Sequence, residues 1–326
     1  MTFMEMEKEE GTEEILTEAG FNVSQRCCCR PSCFDFVARK EENLILVKNQ
    51  LDIGNVSSND FLELKTISER VSAASFVISQ KTREKLLEDD TVYSRYDVLA
   101  VTEKTFRNII LHKIHPLIKA GPGGYYVEID GASIKKRRQE LDLSIGDLAG
   151  MMSTSRRTLY GYERGMTKAS VSAAYSLIGI LGIPIAKPID VFQKSHTKSK
   201  CLLTTAKRAI TKNKLFQKIF RKLARYNVTT VEKAPFDFLI SIVEEETKII
   251  GGVATRDEQK LDKRISEILS VSKIIKAHPV LIVEEQARID RDIPCISSKR
   301  LSRIKNPRDL IKDSTRASSD PNYFHF

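Results

Sequence analysis

The residues best suited to holding a polyanion stand together near the middle of the chain. Ser155 is followed directly by Arg156, Arg157 and Thr158, with Tyr160 and Gly161 just beyond. A guanidinium offers a planar fork of N–H donors that fits a phosphate or the O6/N7 edge of a guanine. A serine at the head of a helix caps it and leaves the free N–H groups and positive dipole end of the first turn where phosphates would lie. This is the chemistry of recognition. Four of the six cysteines, Cys27, Cys28, Cys29 and Cys33, crowd into seven residues without a C-x-x-C pair, while Cys201 and Cys295 stand alone. They read as reduced thiols of a loop or strand end; a metal site completed by distant ligands and a redox sensor are the sharper alternatives.

Four short helices must position the arginines. A turn-rich break, Gly121-Pro122-Gly123-Gly124, marks a boundary ahead of them. Ile134 to Leu141 reads as a first helix with apolar ends and a basic middle, Lys135-Lys136-Arg137-Arg138. Ser144 with Asp147 three residues on is a capping box that opens a brief second helix ending near Met152. Ser155 caps the third, Arg156 to Glu163, which Gly165 stops. On it Leu159 and Tyr162 turn inward with Leu148, Ala149 and Met152, leaving Arg156, Arg157 and Tyr160 outward. A fourth helix carries Val171, Tyr175, Ile178 and Leu181 at helical spacing and ends at Gly182-Ile183-Pro184.

The run Ser144-x-x-x-Leu148-Ala149-x-x-Met152-x-x-Ser155-x-x-Thr158-Leu159-x-x-Tyr162-Glu163-x-Gly165 resembles the Cro/C1-type, lambda-repressor-like helix-turn-helix. The resemblance implies an all-α domain whose third helix enters the major groove of double-stranded DNA. By position it gives DNA contact to Ser144, Ser155, Arg156, Arg157, Thr158, Tyr160 and Gly161, with Arg157 or Arg156 bidentate to a guanine. It gives phosphate contact to Lys168 and joins Arg138 to Glu163 in a salt bridge between first and third helices. It also implies a homodimer reading two half-sites about one helical turn apart. Three positions depart from the pattern. Ser153 replaces a turn glycine, at a cost of about 1–2 kcal/mol for a left-handed backbone. Ile145 replaces a frequent glutamine, and Gly161 weakens its helix by about 1 kcal/mol relative to alanine.

The charge of the chain fits this reading. With 53 basic and 43 acidic residues in 326, the net charge is +10, and lysine and arginine release counterions from phosphates. The surplus is local: residues 194–225 hold eleven Lys/Arg and no acid. Within this segment Lys207 and Arg208 are expected to touch phosphates, adding affinity without sequence choice, while Phe216, Ile219, Phe220 and Leu223 form a helical stripe. No apolar run approaches the roughly 20 residues of a membrane span, and the acidic N-terminus is unlike a signal peptide. A cytoplasmic protein with no membrane partner is expected.

The two ends of the chain look alike. Ala19-Gly20-Phe21-Asn22-Val23, Phe34-Asp35-Phe36-Val37-Ala38 and Leu44-Ile45-Leu46-Val47-Lys48 are matched by Arg225-Tyr226-Asn227-Val228, Phe236-Asp237-Phe238-Leu239-Ile240 and Thr247-Lys248-Ile249-Ile250-Gly251. Each set is followed by a helical stretch and two further strands, which predicts an internal repeat of α/β units with mixed sheets. Each unit resembles a restriction-endonuclease-like core, whose catalytic set is an Asp opening one strand and an acid-x-Lys on the next. Asp35 and Asp237 stand at the first position. Leu46-Val47-Lys48 and Ile250-Gly251-Gly252 lack the second acid, so metal binding and cleavage are not expected.

As a whole the chain resembles an archaeal family of HTH-type transcriptional regulatory proteins with a central Cro/C1-type domain. The expected fold class is α+β multidomain: a central all-α helix-turn-helix flanked by two related α/β domains with a degenerate restriction-endonuclease-like core. The expected divisions are 1–122 for the N-terminal α/β domain, 123–193 for the helix-turn-helix, 194–225 for a basic helical linker and 226–326 for the C-terminal domain. The expected function is sequence-specific, DNA-binding regulation of transcription, non-enzymatic and without cofactor or metal. The flanking units are expected to dimerise, to sense a small-molecule effector or to contact DNA nonspecifically. A DNA-processing enzyme of nuclease-like fold and a protein-interaction scaffold are the rival readings.

Overall fold

The computed structural model describes residues 11–83, 85–192, 228–242, 247–254, 258–283, 293–297, 299–300, 304 and 306–311. At the N-terminal end, α1 (Thr12–Glu18) leads into β1 (Asn22–Val23), β2 (Phe36–Lys40) and β3 (Asn43–Asn49). β2 and β3 form a hairpin through Glu41-Glu42, with Glu41 at φ +51° and Phe36 opposite Val47. Leu44, Ile45, Leu46 and Val47 are all buried, as in a strand covered on both faces. α2 (Ser58–Val71) is capped by Ser57, with Asp60 reaching back, and turns Phe61, Leu64 and Ile67 inward. Then come β4 (Ala74–Ile78), β5 (Lys81–Thr82), β6 (Lys85–Leu86), β7 (Thr91–Arg95), β8 (Val98–Val101) and α3 (Glu103–His112).

The expected glycine turn joins a hairpin of β9 (Ile118–Gly121) and β10 (Gly124–Val127). The helices α4 (Gly131–Glu140), α5 (Ile145–Met151), α6 (Arg156–Glu163) and α7 (Val171–Leu181) follow. The central domain is not all-α as expected. Between α6 and α7 lies β11 (Ala169–Ser170), antiparallel to β10 with Tyr126 opposite Ser170. The cause is local: Ser170 caps α7 in an extended conformation, φ −65° and ψ 159°, and so can join an edge strand.

The C-terminal end gives β12 (Val228–Thr230), β13 (Phe238–Ile242), β14 (Thr247–Ala254), α8 (Leu261–Ile275), β15 (His278–Val283) and β16 (Cys295–Ser297). These strands are ordered β12-β13-β14-β15-β16, with α8 crossing between the parallel pair β14 and β15. Gly251 is needed where it stands. It lies opposite Phe238, whose ring fills the space that any side chain there would take.

By compactness the chain divides into two units. The first gathers the described residues of Met1–Asn49, Val56–Phe76 and Lys194–Phe326; the second gathers Gln50–Asn55 and Val77–Gln193. In the first unit β1, β2 and β3 are neighbours in that order and the C-terminal strands form a sheet of their own; in the second the order is β8-β7-β9-β10-β11, and β4 is divided between the two at Phe76 and Val77.

Within the first unit the two ends share their hydrogen bonds. Asp35 N–H donates to the Val47 carbonyl at 2.7 Å, and Asp237 N–H to that of Gly251 at 2.8 Å. The Asn49 and Val253 N–H groups each donate to Oδ2 of the respective aspartate, both at 2.6 Å. Each helix then reaches across to the other end. Glu267 Oε1 on α8 accepts from the backbone N–H of Cys28 and Cys29, both at 2.9 Å, and Glu63 Oε1 on α2 accepts from those of Glu232 and Lys233. Arg39 Nε donates to the Ile274 carbonyl at 2.6 Å at the end of α8, and Lys248 Nζ to that of Val71 at 3.0 Å at the end of α2. Among the described residues no helix is long and apolar enough to cross a membrane.

Candidate nucleic-acid interface

Four caps fix α6 and the three helices that frame it. Asp130 accepts from the N–H groups of Ala132 and Ser133, starting α4 three residues earlier than expected. Ser144 and Asp147 form their box in both directions, at 2.8 and 3.1 Å. Ser155 Oγ accepts from Thr158 N–H at 3.0 Å and lies 2.8 Å from the Thr158 hydroxyl. Ser170 caps α7 through Ala173 N–H. Ser153 takes the left-handed turn position at φ +50°; its N–H and that of Thr154 tie back to the Gly150 and Ala149 carbonyls.

Packing then sets which face of α6 looks out. Ile134, Leu148, Ala149, Leu159, Tyr162, Ala174, Leu177 and Leu181 form the core. Gly131 lets the start of α4 touch the Tyr162 and Glu163 carbonyls, an approach that any side chain would block. Arg138 is buried and donates from Nε to Glu163 Oε1 at 2.6 Å, from Nη2 to Glu163 Oε2 at 3.2 Å and from Nη1 to the Leu143 carbonyl at 2.7 Å. The hydrogen bonds to Glu163 raise the arginine's pKa against the opposing effect of burial. One residue pair thus binds α4, the α4–α5 turn and α6 together.

Arg156, Arg157, Tyr160 and Lys168 are all exposed, and Ser155 and Thr158 form the rim of the α6 start. The two arginines are not equivalent. Arg156 folds back across α5: a Cβ on Gly146 would lie 3.0 Å from its Nε and 3.2 Å from its Cζ. Hydrogen bonds with the Ser144 hydroxyl and backbone hold the Asp147 carboxyl below the usual aspartate range, with a smaller contribution from the charge of Arg156. Arg157 projects from the exposed side of the first turn. Gly161, expected to face bases, is buried. Its missing side chain makes room for Thr167, since a Cβ there would stand 2.7 Å from the Thr167 hydroxyl. Lys168 Nζ lies 4.0 Å from Glu128 in an exposed pair.

Two residues emerge that the sequence reading did not name. Arg164 places its guanidinium 5.1 Å from the centre of the Tyr160 ring, a cation–π contact at i,i+4. Gly146 matters for the room it gives Arg156. The first carried a readable signal, an arginine one turn after an outward tyrosine; the second did not, because only packing reveals a close approach. On α7 the buried residues are Ala174, Leu177 and Leu181, whereas Val171, Tyr175 and Ile178 face solvent. Lys207 and Arg208 lie outside the described residues.

Cys201 lies outside the described residues, and Cys28 is exposed. Cys27 and Cys33 are buried, and burial together with Glu267 pushes the Cys29 thiol up to about 12. Among the described residues no cluster of metal-ligand type is present. In the N-terminal unit Asp35 accepts from Lys48 Nζ at 3.0 Å, which also donates to the Ser32 carbonyl at 3.0 Å. Leu46, where an acid would stand, is fully buried.

The helix-turn-helix family matches residues 134–187, and the PD-(D/E)XK superfamily domain matches residues 8–116. A Methanosarcina barkeri protein named "Putative HTH-type transcriptional regulatory protein" is 31% identical over 307 residues, 91% of this chain and 93% of that one. Like-named proteins of Methanocaldococcus jannaschii and Pyrococcus horikoshii are 30% and 29% identical, over 86% and 92% of this chain and 88% and 94% of theirs. A chain of the solved SinR protein/SinI protein complex covers 29% of this chain at 20% identity and a TM-score of 0.16, with 90% of its own length aligned. With its capped helices, the Arg138–Glu163 tie and kinship along nine-tenths of its length, the chain belongs to the archaeal family of HTH-type transcriptional regulatory proteins.

Proposed function

We propose that the protein regulates transcription by reading a DNA duplex with α6. The observation that carries this reading is the exposed first turn of α6, capped by Ser155, aimed by the buried Arg138–Glu163 pair and bearing Arg157 outward. Arg157 forms a two-pronged bond to a guanine edge in the major groove. Arg156, held over the start of α5, meets a phosphate, as does Lys168; Tyr160 and Arg164 line the groove together. Lys207 and Arg208 add phosphate contacts that strengthen binding to any sequence. The protein works as a homodimer on two half-sites about one helical turn apart. The uncharged outer face of α7, with Val171, Tyr175 and Ile178, suits self-association, because a two-fold axis sets each residue near its own copy. The flanking units serve this binding and do not cleave the duplex.

The test is Arg157→Ala, assayed against fragments selected from the source genome for binding the wild-type protein. Loss of about 1–3 kcal/mol on the selected site, with little change on random DNA, is expected. An equal loss on both would make Arg157 a phosphate contact and remove the base-reading role.

A further inference from the structure

A PD-(D/E)XK domain implies a divalent ion between an aspartate and a second acid, and the residues present do not fit one. In the N-terminal arm the aspartate's Oδ1 is already taken by an ammonium group, that of Lys48, and Leu46 offers no ligand. The C-terminal arm differs in a telling way. Its β14 has glycine, Gly252, at the position of Lys48, as the shared Asn49 and Val253 bonds to the aspartates establish. Arg264 of α8 comes in over that glycine, its Nη2 3.5 Å from where a Cβ would be, and donates to Asp237 Oδ2. Its Nη1 donates to Glu258 Oε2 at 2.9 Å and to the Val253 carbonyl at 3.1 Å, and its Nε to the Pro235 carbonyl at 2.6 Å.

Arg264 is fully buried in this cage of oxygens, which holds two carboxylates. A second guanidinium enters from the other arm. Arg30 Nη1 bonds Asp237 Oδ1 at 2.8 Å, and its Nη2 lies 3.3 Å from Glu258 Oε1. Two acids thus face two guanidiniums, and the charges cancel. Two carboxylates with carbonyl oxygens are the ligands that a hard divalent ion prefers, yet both carboxylates are already taken by guanidiniums.

We infer that the protein's own cations stand where this fold would hold its metal, and that in the C-terminal arm the replacement has become a clamp joining the two arms. Asp237 and Glu258 keep their converging geometry because Arg264 and Arg30 need it. The acid that in a nuclease would orient a metal here anchors one arm to the other through Arg30. This inference is independent of how α6 meets DNA.

The experiment is thermal unfolding of the full chain in EDTA, Mg²⁺ or Mn²⁺, for the wild type and for Arg264→Ala, Arg30→Ala and Asp237→Asn. The wild-type midpoint is expected to be the same in all three solutions. Arg264→Ala is expected to melt several degrees lower, because it leaves two half-buried acids sharing the single guanidinium of Arg30, and to regain part of the loss with Mn²⁺. Should Arg264→Ala fail to fold, Arg30→Ala, whose side chain is 31% exposed, is expected to show a smaller fall with the same Mn²⁺ response. A wild-type midpoint raised by Mn²⁺ or Mg²⁺, and no longer so in Asp237→Asn, would overturn the inference. So would an Arg264→Ala protein as stable as the wild type.

Discussion

Arg156 and Arg157 are neighbours of one type on one exposed turn, and what separates them is a hydrogen atom on another helix. Gly146 has no side chain, so the Arg156 guanidinium lies against α5 and shares the field of Asp147, while Arg157 extends from the turn. Gly146→Ala tests this division of labour. The new methyl would meet only the far end of a flexible side chain, and alanine suits a helix better than glycine, so stability is expected to stay level or rise by about 0.5–1 kcal/mol. Arg156 would be displaced, and DNA affinity is expected to fall several-fold on selected and random duplexes alike. Mobility-shift titration on both checks it; a loss confined to the selected site would make Arg156 a base reader. Gly161 carries the opposite lesson. Its position along α6 matched a base-facing one, but the chain returns through Thr167 over that spot and buries it.

At the scale of elements, α6 is only as well aimed as its tie to α4. Arg138 and Glu163 have side chains 9% and 4% exposed, so neither can hand its charge to water if the other is lost. Arg138→Ala is expected to cost about 3–5 kcal/mol, since it leaves a buried carboxylate unpaired, whereas replacing both residues by apolar ones of similar volume costs far less. Hydrogen exchange of the α4 and α6 amides measures both. A single-residue loss under about 1 kcal/mol would mean that packing alone holds α6. Much at this scale was legible beforehand. The caps at Ser144 and Ser155 and the stop at Gly165 are local chemistry within a few residues, and the inward face of α6 follows from its period. α7 was not legible in the same way. It is apolar nearly all round, so spacing alone could not choose between the Val171, Tyr175, Ile178 face and the Ala174, Leu177, Leu181 face that the core takes.

In the first compact unit, the two chain ends are joined by reciprocal carboxylates, Glu63 receiving two N–H groups from one end and Glu267 two from the other. Burial raises the pKa of Glu63 from its ordinary 4.5, against the backbone donors that favour its charge. An acid raised on folding contributes stability that is complete below its unfolded value and is lost as pH rises through the folded one. The stability advantage of wild type over Glu63→Gln is therefore expected to shrink as pH rises above 4.5. Urea unfolding of both proteins over a pH series measures the difference. An advantage that grows with pH would place the folded pKa below the unfolded one and reverse the argument.

The amino-acid sequence by itself determined what is local: where helices begin and end, which turn needs a left-handed residue, which strands are apolar enough to be covered twice, and that Asp35 and Asp237 open equivalent strands. It also placed Arg138 and Glu163 in the two helices that they join. Tertiary structure decided everything that depends on residues far apart meeting. It set Arg156 against Gly146, filled the space beside Gly252 with Arg264, brought Arg30 to Asp237 across more than two hundred residues, and buried Gly161. The reason is physical: capping and periodicity act over one or two turns and are written in neighbouring residues. Close approach and charge replacement act through space, between surfaces whose partners the linear order does not name.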